Sequence, residues 1–277
     1  MIKINQKWID ASQIDSGVLS KEALKILQSM GKYSKVFEYE TMAQLEFELA
    51  LRLQIMEAAV SLYNSGVRFA TFRTSKCNEK YWRRTEKGAF ILKPNVLPQT
   101  GIEDIFRNGN KYAFECATAM VVVFYKAVLE SIDKNQFNRL FAGLYLYDWQ
   151  YDKDLDLNSH NGTDFLPGDC VYFKNPDYNP KTPQWQGENA IILDENLYYG
   201  HGIGITTRDV IIGFLNTKRK KNPKHTAFLT PQIVRPNFYY LSRFSPTRFR
   251  ENHLKHPHFC HFSNVIISDI GSKTYFL

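Results

Sequence analysis

Cys116 lies in the run Phe114-Glu115-Cys116-Ala117-Thr118-Ala119, where a polar, glycine-bearing loop (Asn108-Gly109-Asn110) gives way to a long apolar segment that reads as a helix. The opening turn of a helix leaves backbone N–H groups unpaired and carries partial positive charge. A thiol there ionises below the ~8.5 of a free cysteine and becomes a nucleophile. The opposing reading is a packed small hydrophobe, since unpaired cysteines are among the most buried residues. Acyl transfer through a thiol also needs a proton acceptor or counter-charge, a group to orient it, and N–H donors for the oxyanion. Three residues offer themselves: Glu115 beside the thiol, Glu188 in Gln184-Trp185-Gln186-Gly187-Glu188-Asn189, and His201 in Tyr199-Gly200-His201-Gly202. Taken singly, a strand glutamate is usually solvated and a histidine among glycines usually packs a loop. Glu115 reads either as a first-turn acid stabilising the helix or as an acceptor of the thiol proton. Ionised and buried beside the sulfur, it would oppose thiol ionisation.

The elements that must position these residues follow from periodicity. Thr41-Met42-Ala43-Gln44 has the form of a capping box, and Leu45, Leu49, Leu53, Met56 and Val60 recur at helical spacing until Gly66, which predicts an amphipathic helix. Alternation over Val67–Thr74 and an apolar run at Ala89–Lys93 predict two strands. The Cys116 segment is apolar on nearly all sides to about Asp133, so it should be the core helix. Short β-type segments follow at 144–149, 170–173, 189–193 and 197–205, reading as an antiparallel sheet, with loop composition at 156–163 and 175–180 and a helix from about 206 to 219. The order is α+β, a central cysteine-bearing helix packed on an antiparallel sheet. With a two-residue turn at Glu195-Asn196, Ala190 pairs with His201, and Glu188 sits one diagonal step away on the same face. A one-residue slip would place Glu188 and His201 on opposite faces.

Composition narrows the classes. The chain has 277 residues, suited to one large domain, and no apolar stretch reaches the ~18 residues of a membrane span, so a soluble protein without membrane association is expected. The N-terminus lacks the apolar core and cleavage site of a secretion signal, so the Asn161-Gly162-Thr163 sequon carries little weight. The four cysteines, Cys77, Cys116, Cys170 and Cys260, are widely spaced, as reduced intracellular thiols are. Net charge is +7, with the densest basic run at Lys218-Arg219-Lys220-Lys221, followed by Lys224 and His225. No nucleic-acid-binding signature accompanies it; it reads as a solvated helix end, and acidic protein partners would suit it equally. Gly200, Gly202 and Gly204 do not form a dinucleotide fingerprint. Cys260 with His253, His256, His258 and His261 reads as an exposed tail rather than a metal site, so neither metal nor cofactor is expected.

Several motifs together resemble a known family. Phe69-Ala70-Thr71-Phe72, Tyr112 to Ala119, Tyr147-Asp148-Trp149, Gly168-Asp169-Cys170, Tyr172 to Pro176, Trp185 to Asn189 and His201 to Ile205 are similar, in order and spacing over about residues 1–244, to the small spore transglutaminases of Bacillus-like bacteria. The resemblance implies a calcium-independent protein-glutamine γ-glutamyltransferase on a fold related to the NlpC/P60, papain-like cysteine peptidases. It implies Cys116 as nucleophile, Glu188 as its essential partner, Glu115 as a partial substitute and His201 in support. Trp149, Trp185 and Phe69, with Tyr172 near them, would wall a passage to the thiol and keep its thioester dry. The implied organisation is a catalytic domain at 1–245 and a tail at 246–277. The implied partners are glutamine- and lysine-bearing spore coat proteins, met by a monomer in the mother-cell cytoplasm and then on the spore surface. A basic surface would aid recruitment to acidic coat layers in a salt-sensitive way. The competing readings are an NlpC/P60-type amidase or peptidase and a noncatalytic basic coat protein.

Overall fold

Thr41 caps a 23-residue helix, α1 (Met42–Asn64), by accepting from Gln44 N at 3.3 Å, while Gln44 Oε1 accepts from Glu40 N at 2.8 Å. The capping box is therefore present with its return bond moved one residue upstream. Gly66, at φ +84°, turns the chain out of the helix. The computed structural model describes residues 1–14, 19–246, 267–270 and 273–276.

α1 is not the one-faced amphipathic helix expected. Phe47, Leu51, Ile55 and Ala58 are buried as well as Leu45, Leu49 and Leu53, because other elements cover its remaining sides: the helix Lys21–Lys32 and a three-stranded sheet of Ile2–Ile4, Lys7–Ile9 and Phe37–Tyr39. α2 (Cys116–Ser131) packs along α1 and is buried from Ala117 to Leu129 except at Lys126. It is the core helix predicted.

A six-stranded antiparallel sheet stands against this helix pair. Its strands are β1 (Leu157–Asn161), β2 (Cys170–Lys174), β3 (Gly187–Asp194), β4 (Leu197–Gly200), β5 (Gly204–Thr206) and β6 (Phe228–Pro236), in the order β5-β4-β3-β2-β6-β1. Strand alternation divides its core in two. Cys170, Ile191, Leu193 and Tyr199 join the core of α1 and α2, whereas Val171, Phe173, Ala190, Ile192 and Tyr198 pack with Ile211, Phe214 and Leu215 of α3 (Arg208–Thr217). A buried charge network ties α1 to the sheet: Arg52 bonds Glu48 at 2.9 Å and Asp169 at 2.8 Å, and Asp169 bonds Arg235 at 2.6 Å.

Three segments differ from expectation. The 156–163 loop contains β1, an edge strand whose Leu-Asn-Ser-His-Asn sequence is polar because most of it faces solvent. Only Tyr145–Leu146 of the 144–149 segment is a strand, and it joins a separate small sheet with Trp82–Arg84 and Phe90–Leu92. The 67–74 strand is confined to Arg68–Phe69, which pairs in parallel with Ala113–Phe114. Cys260 and the tail histidines 253, 256, 258 and 261 lie outside the described residues; of the tail beyond 246, Ile267–Ile270 and Lys273–Phe276 form an antiparallel pair.

Candidate active site

Cys116 is the first residue of α2, and Glu115 is its cap. The Glu115 carboxylate accepts from Ala117 N at 2.7 Å and Thr118 N at 2.6 Å. The donors that would have drawn negative charge onto the sulfur are thus taken by a neighbouring acid. Burial pushes the Glu115 carboxyl above its usual range against the pull of these bonds. Burial, then the charges of Glu188 and Glu115, hold the Cys116 thiol well above its usual range too. This corrects the lowered thiol pKa expected from placement alone: burial and two nearby carboxyls oppose the thiolate, while part of the Cys116 surface stays open to solvent.

The side chain that touches the sulfur is Asn189, whose Nδ2 donates to Cys116 Sγ at 3.5 Å; Asn189 backbone and side-chain donors both favour the thiolate. Glu188 precedes it on β3, so the two point to opposite sides of the strand. Glu188 is fully buried, neither carboxyl oxygen has a hydrogen-bond partner among the described residues, and burial, then Glu115, raise its pKa well above the usual value. Gly200 makes its space: a Cβ there would lie 3.0 Å from Glu188 Oε1.

The hairpin register explains this arrangement. Asp194 pairs with Leu197 as a Glu195-Asn196 turn requires, but an irregularity shifts the ladder so that Ala190 faces Gly200 instead of His201. His201 falls in the turn between β4 and β5, with Nδ1 accepting from Tyr199 Oη at 3.0 Å and Nε2 donating to Phe114 O at 3.2 Å. Both ring nitrogens are occupied, and among the described residues neither His201 nor Glu188 hydrogen-bonds the sulfur. His201 instead anchors the backbone two residues before Cys116. Burial lowers its pKa to about 4. Because the unfolded histidine binds its proton more tightly, this group favours folding fully above pH ~6.5 and loses that contribution as pH falls toward about 4. The loss is on the order of 3 kcal/mol. Urea titrations from pH 7 to 4 should show that slope in the wild type and a flatter one in His201→Asn.

The aromatic residues divide into two groups. Phe69 stacks on Trp185 with centroids 5.0 Å apart and planes 19° apart, and Gly202 lies against Phe69 so closely that a Cβ would come within 2.9 Å of its ring. Tyr172 pairs with Asn189 across β2 and β3 and donates to Gln186 O at 3.3 Å; burial, then the charges of Cys116 and Glu188, push its hydroxyl up to about 12. Trp149 packs separately on the main core. Its loop is tied to the first turn of α2, where Asp148 N donates to Thr118 Oγ1 at 3.0 Å. Glu115, Glu188 and His201 therefore lie about the opening of α2 with Asn189, Thr118 and Gly200, which periodicity did not reveal, whereas Trp185 reaches it through Phe69 and Trp149 only through its loop. Among the described residues no group of three or more His, Cys, Asp or Glu side chains is placed to hold a metal ion.

A thiol opening a buried helix, with an amide donor on its sulfur and the charges of two buried carboxyls acting on it, has the groups that acyl transfer through sulfur requires. The protein-glutamine gamma-glutamyltransferase family model matches residues 1–245. A protein-glutamine gamma-glutamyltransferase of Bacillus cereus strain B4264 is 47% identical over 224 residues, covering 81% of each chain. One from Bacillus anthracis is 48% identical over 214 residues, covering 77% of this chain and 78% of its own. A transglutaminase from Geobacillus stearothermophilus, solved without its C-terminal extension, superposes with TM-score 0.72 at 57% identity, covering 74% of this chain and 99% of its own. This chain belongs to the protein-glutamine gamma-glutamyltransferase family: it is a transglutaminase, an acyltransferase acting between glutamine and lysine side chains of proteins.

Proposed function

We propose that Cys116 is the nucleophile of this acyl transfer and Glu188 its acid–base partner. The observation that carries the pair is the buried, unbonded Glu188 carboxyl, close enough for its charge to act on Cys116. Both Glu115 oxygens accept backbone N–H groups and both His201 nitrogens are engaged, whereas the Glu188 oxygens have no hydrogen-bond partner among the described residues. A carboxyl with a raised pKa is better matched to proton exchange with a thiol than an exposed one. Entry of a glutamine side chain brings a carbonyl to the sulfur. The thiol proton passes to a carboxylate, the S–C bond forms, and the returned proton leaves with ammonia. A lysine ε-amine then attacks the thioester, giving up a proton as the isopeptide bond forms and the thiol is restored. Phe69, Trp185, Tyr172 and Trp149 bind the substrate side chains and keep water from the thioester.

Asn189 joins this mechanism as the donor on the sulfur. Asn189→Ala should slow iodoacetamide alkylation of Cys116 at pH 8 severalfold and lower kcat/KM about 10- to 100-fold. Unchanged alkylation would remove Asn189 from the account.

The reading extends to an NlpC/P60-like fold, supported by the helix-borne cysteine against an antiparallel sheet. It takes 1–245 as the catalytic domain, with the family match ending there, and 246–277 as a separate tail. It includes calcium-independent action by a monomer on spore coat proteins, first in the mother-cell cytoplasm and then at the spore surface. This biological setting is supported by the Bacillus and Geobacillus relatives. The test incubates a glutamine-donor coat protein with a fluorescent primary amine and a calcium chelator. Covalent labelling that Cys116→Ala abolishes supports the transferase; hydrolysis alone favours an amidase, and neither favours a structural protein.

A further inference from the structure

We propose that this enzyme selects donor glutamines whose flanking residues are acidic, reading them with a basic platform that borders Trp185. The inference rests on the transferase reading and adds a substrate class to it. Residues 174–186 and 217–225 contain seven of the chain's lysines and arginines and a single acid, Asp177, so nearly all of the net +7 charge is concentrated in two short stretches.

The fold joins these stretches. Asn179 N donates to Lys218 O at 2.9 Å, Lys220 N to Asp177 O at 2.8 Å, and Tyr178 bridges Arg219. Asp177 is consumed within the platform: its carboxylate pairs with Lys220 at 2.7 Å and accepts from Lys224 N at 2.6 Å and His225 N at 2.7 Å. Lys174, Lys181, Lys221 and Lys224 are exposed, and among the described residues Lys220 alone of the platform's lysines and arginines is in an ion pair. The sequence-based reading of a solvated helix end is therefore incomplete. The cations belong to one surface, and its own acid does not neutralise it.

Lys218 connects that surface to the candidate active site. Its Nζ stands 5.8 Å from the Trp185 ring centroid and 4.9 Å from that of Phe214; Trp185 stacks on Phe69. A substrate segment approaching beside Trp185 meets a positive field at the rim. A lysine acceptor is itself cationic and gains nothing from it, whereas a donor glutamine is neutral, so its flanks decide the interaction. Acidic flanks are attracted and basic flanks repelled, at long range and in a salt-dependent way.

The test uses two synthetic peptides with the same central glutamine, one flanked by aspartates and one by lysines blocked as acetamides with arginines beside them, and one fluorescent amine as acceptor. The expected ratio of kcat/KM, acidic over basic, is about tenfold or more at 20 mM salt, falling toward unity above 0.3 M. In Lys181→Glu/Lys221→Glu/Lys224→Glu the ratio should collapse or invert, and reading it within each enzyme cancels any general loss of activity. Fluorescence anisotropy of the same peptides on Cys116→Ala reads the preference without turnover, so failed catalysis would count against the transferase mechanism and leave the platform still tested. Equal use and equal binding of both peptides at low salt would overturn the proposal. So would a preference that survives charge reversal, or binding of duplex DNA with no discrimination between the peptides.

Discussion

Cys116→Ala should lower amine incorporation at least about 10⁴-fold, to the level of the uncatalysed control, with little change in folding stability. The substitution removes one half-buried sulfur that accepts only weak bonds from Asn189, the side-chain one 3.5 Å long, so the helix start, capped by Glu115, remains. Cys170 is fully buried, and burial followed by nearby charge pushes the Cys77 thiol up to about 11. Neither is placed to substitute, and Cys77→Ala should leave amine incorporation within about twofold of wild type. Residual covalent labelling in Cys116→Ala above a few per cent would move the nucleophile elsewhere.

Glu188→Gln should separate activity from stability. Glutamine keeps the shape that fits beside Gly200 but cannot exchange a proton, so kcat should fall about 10²- to 10⁴-fold. Stability should move the other way. The folded state raises the Glu188 pKa, so it holds the proton more tightly than the unfolded chain does. The wild type then loses stability as pH rises above the unfolded value near 4.3 and continues to lose it until the folded pKa is passed. Glu188→Gln has no such dependence. Its stability relative to wild type should therefore increase from pH 4 upward, by at most about 1.4 kcal/mol per pH unit, in parallel urea titrations. A variant that loses activity and stability together at pH 8 would instead make Glu188 a packing residue.

The sequence made the helical half of the site legible. The loop-to-helix transition at Cys116, the apolar run behind it and the capping signal at Thr41 each rest on local chemistry, and each element forms where that chemistry places it. The sheet half was legible in its segments and not in its register. Glu195-Asn196 locates the turn, but the ladder irregularity between Ile192 and Asp194 has no local sequence signal, and it moves His201 out of the pairing with Ala190. Asn189 went unnoticed for the same reason, since only the true register and strand alternation show which β3 residue faces the sulfur. The Cys116 pKa was misjudged because burial, then the charges of Glu188 and Glu115, outweigh the helix start, whose N–H donors the Glu115 side chain had also taken.

The central claim is that the acyl group of glutamine passes through the Cys116 sulfur. Intact-mass and fragment analysis of the protein mixed with a glutamine peptide, quenched in acid before any amine is added, tests it most directly. The predicted result is an adduct of the peptide mass less one ammonia, mapped to Cys116, absent in Cys116→Ala, and discharged when a primary amine is supplied. Amine incorporation proceeding at full rate with no such adduct at any quench time, or with the adduct on another residue, would contradict it.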